Sequence, residues 1–404
     1  MNTAQKALID LLSASIRKNE VDLSYIDEID WNEVYEEADA HAVLPLIFPT
    51  VKKISSSCNI NGEIINKWTN NTIMNAVCQT QHINHMKTVF TAFNEAGIQV
   101  VALKGLILRD LYPNPEFRTM SDSDILIKKE YSDQAEKLLN NLGYSKYGSI
   151  GNESCFTHPN ALSIDLHWSL SDESQLKNVY PFENTIWQNL RKYNFNGIEV
   201  QALSLEYELI HLFVHIASHM IKSGFGLRQL CDIFVFIDKN RNQIDWNLIY
   251  SLADICKLNK LINIILCLCH SLFDLDLPSA YSKTYHQTDK YMGILINEVF
   301  QSGVYGKRDE VRISSSRLLS NTLKVEKNTN KFKVILRYLF PSVRLLDKRY
   351  SYASKYPFLL IFAWIHRLFY ELIFNIFKLE ELFKIGSISS LVESRYDLIK
   401  WLQL

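Results

Sequence analysis

The sequence predicts an α+β fold, a small mixed β-sheet core flanked by N-terminal helices and followed by a large C-terminal helical region. Two observations predict it. Strand-like patterning is confined to the middle of the chain, in the apolar run Ile98–Leu103, in Asp122–Ile127 and in the segments between Tyr144 and Trp168. On either side, up to about residue 95 and again from Leu203, apolar residues recur at helical spacing. The order of strand, helix, strand, helix, then strands describes a small mixed sheet covered by helices.

In the N-terminal part, Ala7, Leu8, Leu11 and Leu12 form one helical stripe, Trp31, Val34 and Tyr35 another, and Ile64 to Phe93 a long pattern with few breakers. His41, His82 and His85 read here as ordinary core or surface histidines. Gly97 ends the helix, and the strand that follows is apolar almost throughout, as in a sheet interior. Lys104-Gly105 stands where strand gives way to helix, so that a glycine permits close backbone approach and the next amides favour phosphate. After a short helical pattern and a Pro-containing loop come Arg118 and the acidic strand. Lys129–Leu142 reads as a helix with Ser132 near its start and Gly143 at its end. Tyr144–Ser149, Ser154–His158 and Ala161–Trp168 read as antiparallel strands separated by Gly148, Gly151 and Pro159-Asn160. Helices are expected over Glu206–Lys222, around Arg228 and Asp232, and over Trp246–Ala253 and Leu258–Phe273. From Gly303 to about Lys333 the apolar period fades into a linker or flap, and an aromatic-rich tail runs from Tyr350 to Phe377.

These segments divide the chain into an N-terminal helical region (1–95), a sheet core (96–202), a helical domain (203–302) and a basic linker with a helical tail (303–404). With 404 residues, 47% hydrophobic and 22% charged, the chain has material for a substantial core in two or three units. A net charge of -1 predicts no general affinity for nucleic acid, with local patches left open. Locally the balance shifts, because across residues 305 to 350 basic side chains outnumber acidic ones roughly threefold. That face suits an anionic acceptor, RNA or a membrane surface. Seven scattered cysteines without C-x-x-C spacing predict reduced thiols and a cytoplasmic protein, not a disulfide framework or zinc site. The first twenty residues lack the pattern of a signal peptide, and Pro357–Ile365, the most apolar stretch, is too short to span a bilayer. No transmembrane segment is expected, while an interfacial helix and peripheral membrane contact fit the tail.

The chemistry centres on Asp122 and Asp124. Residues two apart on a strand share a face, so both carboxylates address one point, and such a pair attracts a hard cation such as Mg²⁺, with Mn²⁺ as its substitute. Asp165, in Ser163-Ile164-Asp165-Leu166-His167-Trp168, supplies a third carboxylate if its strand lies beside the first, with His167 on the same face. His211, His215 and His219 recur at four-residue steps on one helix face without the Glu of an H-E-x-x-H motif. Lining the cleft opposite the acidic strands suits them better than binding zinc.

The combination of Leu103-Lys104-Gly105, the run from Arg118 to Asp122-Ser123-Asp124, and Ile164-Asp165-Leu166-His167-Trp168 resembles the uncharacterised nucleotidyltransferases of the DNA polymerase β superfamily. The resemblance is best over residues 80 to 245. It implies a nucleotidyltransferase core in which Asp122, Asp124 and Asp165 are catalytic residues and ligands of two Mg²⁺ ions. Lys104, Gly105 and Arg118 would bind the nucleotide, with ATP favoured. The reaction implied moves a nucleoside monophosphate from an NTP to a hydroxyl or phosphate acceptor and releases pyrophosphate. The family's usual signature has Gly-Ser or Gly-Gly shortly before the acidic pair. Here Lys104-Gly105-Leu106 stands further ahead, with Lys104 as a source of charge for the triphosphate.

Alternatives stay open at several positions. Asp165 is a metal ligand or a general base, or a strand-end carboxylate paired with His167. Arg118 is a fork for phosphate or for the carboxylates, or a surface arginine paired with Glu116 or Asp110. Arg228 and Asp232, four apart, form a helix salt bridge or contact substrate, and with His167 and His215 they are the expected cleft residues. The acceptor is a small molecule, glycan precursor, protein or RNA. The second reading of the whole chain is a catalytically silent relative that binds nucleotide or a partner and acts through its basic tail.

Overall fold

The computed structural model of the protein describes residues 1–21, 25, 28–170, 176–222, 224–277, 290–304, 340, 343, 346, 350, 352–353, 356–374 and 394–404. Nearly all of the basic linker expected from residue 303, and part of the aromatic tail, lie outside these residues. Helices α1 (Thr3–Arg17), α2 (Trp31–Ala40), α3 (Leu44–Ile54) and α4 (Gly62–Glu95) come first. α1 begins with a capping box, the Asn2 side chain accepting from the Gln5 amide at 2.8 Å while the Gln5 side chain accepts from the Asn2 amide at 3.2 Å. Gly97, at φ +68°, takes the left-handed turn out of α4.

β1 (Val100–Ala102), α5 (Gly105–Leu108), β2 (Asp122–Ile127), α6 (Ser132–Asn141), β3 (Ser145–Ile150), β4 (Glu153–His158) and β5 (Ala161–His167) follow, close to the expected segments. After α7 (Tyr180–Glu183) comes a hairpin that the sequence reading did not include, β6 (Leu190–Phe195) and β7 (Ile198–Leu203), turning at Asn196 and Gly197, both with positive φ. Helices α8 (Leu205–Lys222), α9 (Leu227–Asn240), α10 (Trp246–Cys256) and α11 (Asn259–Phe273) complete the continuous part. Lys290–Ser302, Leu360–Phe374 and residues 394–402 are also helical.

The strands form one mixed sheet of seven in the order β3-β4-β5-β2-β1-β7-β6. β2 runs antiparallel to β1 and parallel to β5, while β7 joins β1 in parallel and extends the sheet on that side. The sheet separates two apolar cores. On one face Val100, Ala102, Ile125, Ile127, Ile164 and Leu166 meet Phe90 and Phe93 of α4 and Leu139 of α6. On the other, Val101 and Leu126 join a larger core of α8–α11 that also takes in α1–α3. The long α4 therefore backs the sheet. The last helix is fixed by Arg395, 1% exposed, whose Nε lies 3.0 Å from Glu298 Oε1 and whose Nη2 donates to Met220 O at 3.1 Å.

His82 of α4, fully buried, fastens the two acidic strands from behind. Its Nδ1 accepts from the Leu162 amide at 3.2 Å, which makes Nε2 the protonated nitrogen facing Ser123 Oγ at 2.5 Å. Burial pushes its pKa down to about 4, so the ring is neutral. Replacing it by Ala strands two polar groups, and urea denaturation of His82→Ala is expected to show a loss of about 1–3 kcal/mol.

Candidate functional site

The register of the central strands determines what faces the cleft. Asp124 pairs directly with Asp165, and Asp122 with Ser163. Strand alternation turns Asp122, Asp124, Asp165 and His167 to one face and Ser123, Ile125, Ile164 and Leu166 to the other. β4 adds two side chains to the first face, since Cys155 pairs with Asp165 and Glu153 with His167. Ligand atoms of Glu153, Cys155 and Asp165 all lie within 4.8 Å of one another. Neither Glu153 nor Cys155 was expected at the site. Counting back across the turn at Pro159-Asn160 is the signal that finds them.

Beside this face the chain turns sharply at Lys104, with φ +46° and ψ -116°, a conformation rare for a residue with a Cβ. Two contacts hold the turn. The Lys104 amide donates to Oε1 of Glu208 at 3.2 Å, and Nζ donates to Asp124 Oδ1 at 2.8 Å. His167 Nε2 lies 2.8 Å from the same Asp124 oxygen, and its Nδ1 is 3.2 Å from Glu153 Oε2. Gly105 is required by what presses on it: a Cβ there would stand 2.6 Å from Arg118 Nη1 and 2.7 Å from Met120 Sδ.

The electrostatics divide the carboxylates. Burial raises the pKa of Asp124, but Lys104 and His167 together outweigh it and hold this group well below the usual carboxylate range. Asp122 goes the other way, pushed up to about 6 by burial and then by the charge of Asp124. Asp165 is also raised, by burial and then by Asp124, and its Oδ1 is buried without a hydrogen-bond partner. An orphaned carboxylate oxygen beside two acids that repel each other fits a hard divalent cation, which relieves the repulsion and supplies the missing partner.

The opposite wall of the cleft, a space of about 280 Å³, comes from α8 and α9. His215 and His219 line it, their Nε2 atoms 2.9 Å apart, and burial holds both rings neutral, with His219 pushed down to about 3. His211 is buried, its pKa likewise pushed down by burial to about 3. Arg228 lines the cleft and donates to Thr119 O at 2.9 Å. Asp232 gives both oxygens to Arg118, Oδ1 to Nε at 3.1 Å and Oδ2 to Nη2 at 2.7 Å, and takes a further bond from the Tyr112 hydroxyl at 2.8 Å. Arg118 thus finds its carboxylate 114 residues away, not in Glu116 or Asp110. Its side chain nonetheless borders the cleft.

Glu208, fully buried beneath the Lys104 turn, is a further neighbour of the site that sequence reasoning missed. A glutamate within the apolar stretch of α8 is the signal that was there to read. Burial pushes it from 4.5 up to about 7. Because the folded state holds this proton more tightly than the unfolded chain, its contribution is full below about 4.5 and is lost as pH rises through about 7. Glu208→Gln keeps the acceptor for the Lys104 amide and removes the titration. Urea denaturation should show the wild type losing on the order of 3 kcal/mol across that window relative to the variant.

Comparison with known proteins places the chain among the nucleotidyltransferases. Residues 27–274, more than half of its length, match the family described as uncharacterised nucleotidyltransferase, and the chain belongs to that family. Among solved structures, the antibiotic-resistance factor ANT(2'')-Ia is 11% identical over 46% of this chain and 95% of its own, with a TM-score of 0.34. An antigenic nucleotidyltransferase-like protein from Paracoccidioides brasiliensis is 16% identical over 52% of this chain and 98% of its own, with a TM-score of 0.31. No curated protein matches the chain.

Proposed function

We propose that the protein transfers a nucleoside monophosphate from an NTP, ATP by preference, to a hydroxyl or phosphate acceptor with release of pyrophosphate, in the manner of the polymerase β superfamily. The observation that carries this is the side-by-side pairing of Asp124 with Asp165, with Asp122 on the same face next to the Lys104-Gly105 turn. Asp122, Asp124 and Asp165 would hold Mg²⁺ or Mn²⁺, at one or two sites. When bound, the cation neutralises triphosphate charge and favours the ionised acceptor hydroxyl. Asp124 is kept anionic by Lys104 and oriented by His167, itself braced by Glu153. The raised pKa of Asp165 suits it to take the acceptor's proton. Gly105 and Arg118 border the place for the nucleotide phosphates, and His215, Arg228 and Asp232 belong to the facing wall. Residues 96–202 would be the catalytic unit and 203–302 its helical cover. Seven free cysteines support a cytoplasmic setting.

The test is thermal stabilisation by ATP, GTP, CTP and UTP with and without Mg²⁺, on the wild type and on an Asp122→Asn, Asp124→Asn double variant. A ligand that binds only the folded state raises apparent stability. A Mg²⁺-dependent shift lost in the variant supports the reading and names the base. Absence of a shift with every nucleotide rejects it.

A further inference from the structure

The helix that begins at Leu360 lies outside both main cores, and none of its described residues lines the cleft. Leu360–Phe374, preceded by a short 3-10 turn at Pro357–Leu359, turns Ala363 inward onto a small cluster of its own with Tyr350 and Ala353. The His366 ring packs against Tyr350 at 5.3 Å, and its Nδ1 lies 3.2 Å from the Tyr352 hydroxyl. The outward side is unusual. Phe358, Ile361, Phe362 and Ile365 are 73%, 60%, 63% and 47% exposed, and their spacing of three, one and three residues puts them on one helical stripe. Apolar residues scattered singly over a surface are ordinary, but four large ones in a continuous row mark a surface that something covers.

We propose that this stripe docks on an anionic lipid surface, the helix lying in the plane of the interface. Charge complementarity selects the occupant. Between residues 331 and 356, immediately before the stripe, seven lysines and arginines stand against Asp347 alone, in a chain whose net charge is only -1. A basic segment directly preceding an exposed apolar helix face in sequence combines attraction to anionic headgroups with insertion of rings and aliphatic chains at the acyl boundary. Tyr356, 47% exposed next to the stripe, adds an aromatic side chain suited to headgroup depth. Among the described residues no helix is long and apolar enough to cross a membrane, so the geometry is that of a helix lying on the surface. The docking does not depend on the nucleotidyl-transfer reading, and it would bring the cleft to acceptors held at a bilayer.

Co-sedimentation of the full chain with sucrose-loaded vesicles tests it, comparing phosphatidylcholine alone with phosphatidylcholine mixed with phosphatidylglycerol. Binding to the mixed vesicles should exceed binding to the neutral ones and weaken with salt. A Phe358→Asp, Phe362→Asp double variant should partition at least about tenfold more weakly, because it loses two rings and gains two negative charges. Both side chains are exposed, so the variant should keep its circular dichroism and its thermal response to nucleotides. Three results would overturn the proposal: no preference for anionic vesicles, undiminished binding by the variant, or a concentration-dependent dimer of the free chain that the double substitution abolishes. The last would make a second copy the occupant.

Discussion

Asp124→Asn is expected to slow pyrophosphate release from the preferred NTP by about 10³-fold, the upper end of the scale on which loss of one preorganised group slows a reaction. The carboxylate has three functions. It is one of the acids facing the cleft, it fixes Lys104 Nζ at 2.8 Å, and it fixes His167 Nε2 at the same distance. Removing its charge leaves a largely buried ammonium opposite a weaker acceptor and lowers the field that would hold a divalent cation. His167→Asn should be milder, about 10–100-fold, since His167 orients Asp124 from the neighbouring strand. Following pyrophosphate with saturating Mg²⁺ and then Mn²⁺ separates the two effects. Equal loss in both variants would contradict the roles assigned here. The fold of each variant should persist, because the strands are held from the opposite face by His82 and the apolar core.

Asp232→Ala is expected to be the most damaging single change to stability, about 3–5 kcal/mol by urea denaturation. Both partners of the Arg118–Asp232 pair are buried, with side chains 6% exposed, and the two N–H···O bonds make the pair bidentate. Deleting the acid strands a buried guanidinium and the Tyr112 hydroxyl together. The double change Arg118→Met, Asp232→Leu should recover much of the loss, as it leaves no uncompensated charge. Nucleotide-dependent stabilisation should not recover with it, because Arg118 also packs over Gly105 at the turn beside the acidic strands.

Much of this architecture was legible locally. The helices, the acidic strand and the strands from β3 to β5 follow apolar period and turn residues, and Asp122, Asp124 and Asp165 stood out as carboxylates in strand patterns. The hairpin β6–β7 was equally readable and was passed over: Asn196-Gly197 between two alternating runs is the strongest short-range signal for such a turn. Other features were not legible, for a physical reason. The partner of Arg118 lies 114 residues away, and that of the Lys104 amide 104 residues away, so no spacing rule reaches them. His82 looked like a core histidine, and it is one. Its importance comes from the two strands it happens to lie behind.

Contacts between residues far apart in sequence also bear on how the protein is made. Helix α1 packs into the same core as α11, with Arg17 paired to Asp274 at 2.9 Å, and Arg395 reaches back to Glu298 and to α8. During synthesis, therefore, α1 meets α2 and α3 early, while the part of its apolar face that packs on α11 stays uncovered until that helix has been made. The ion pair between the buried Glu298 and Arg395 forms only once residue 395 has left the ribosome. Contacts of such sequence separation close late and leave sticky surface exposed meanwhile. The nascent chain is thus a natural client for chaperones that shield apolar segments.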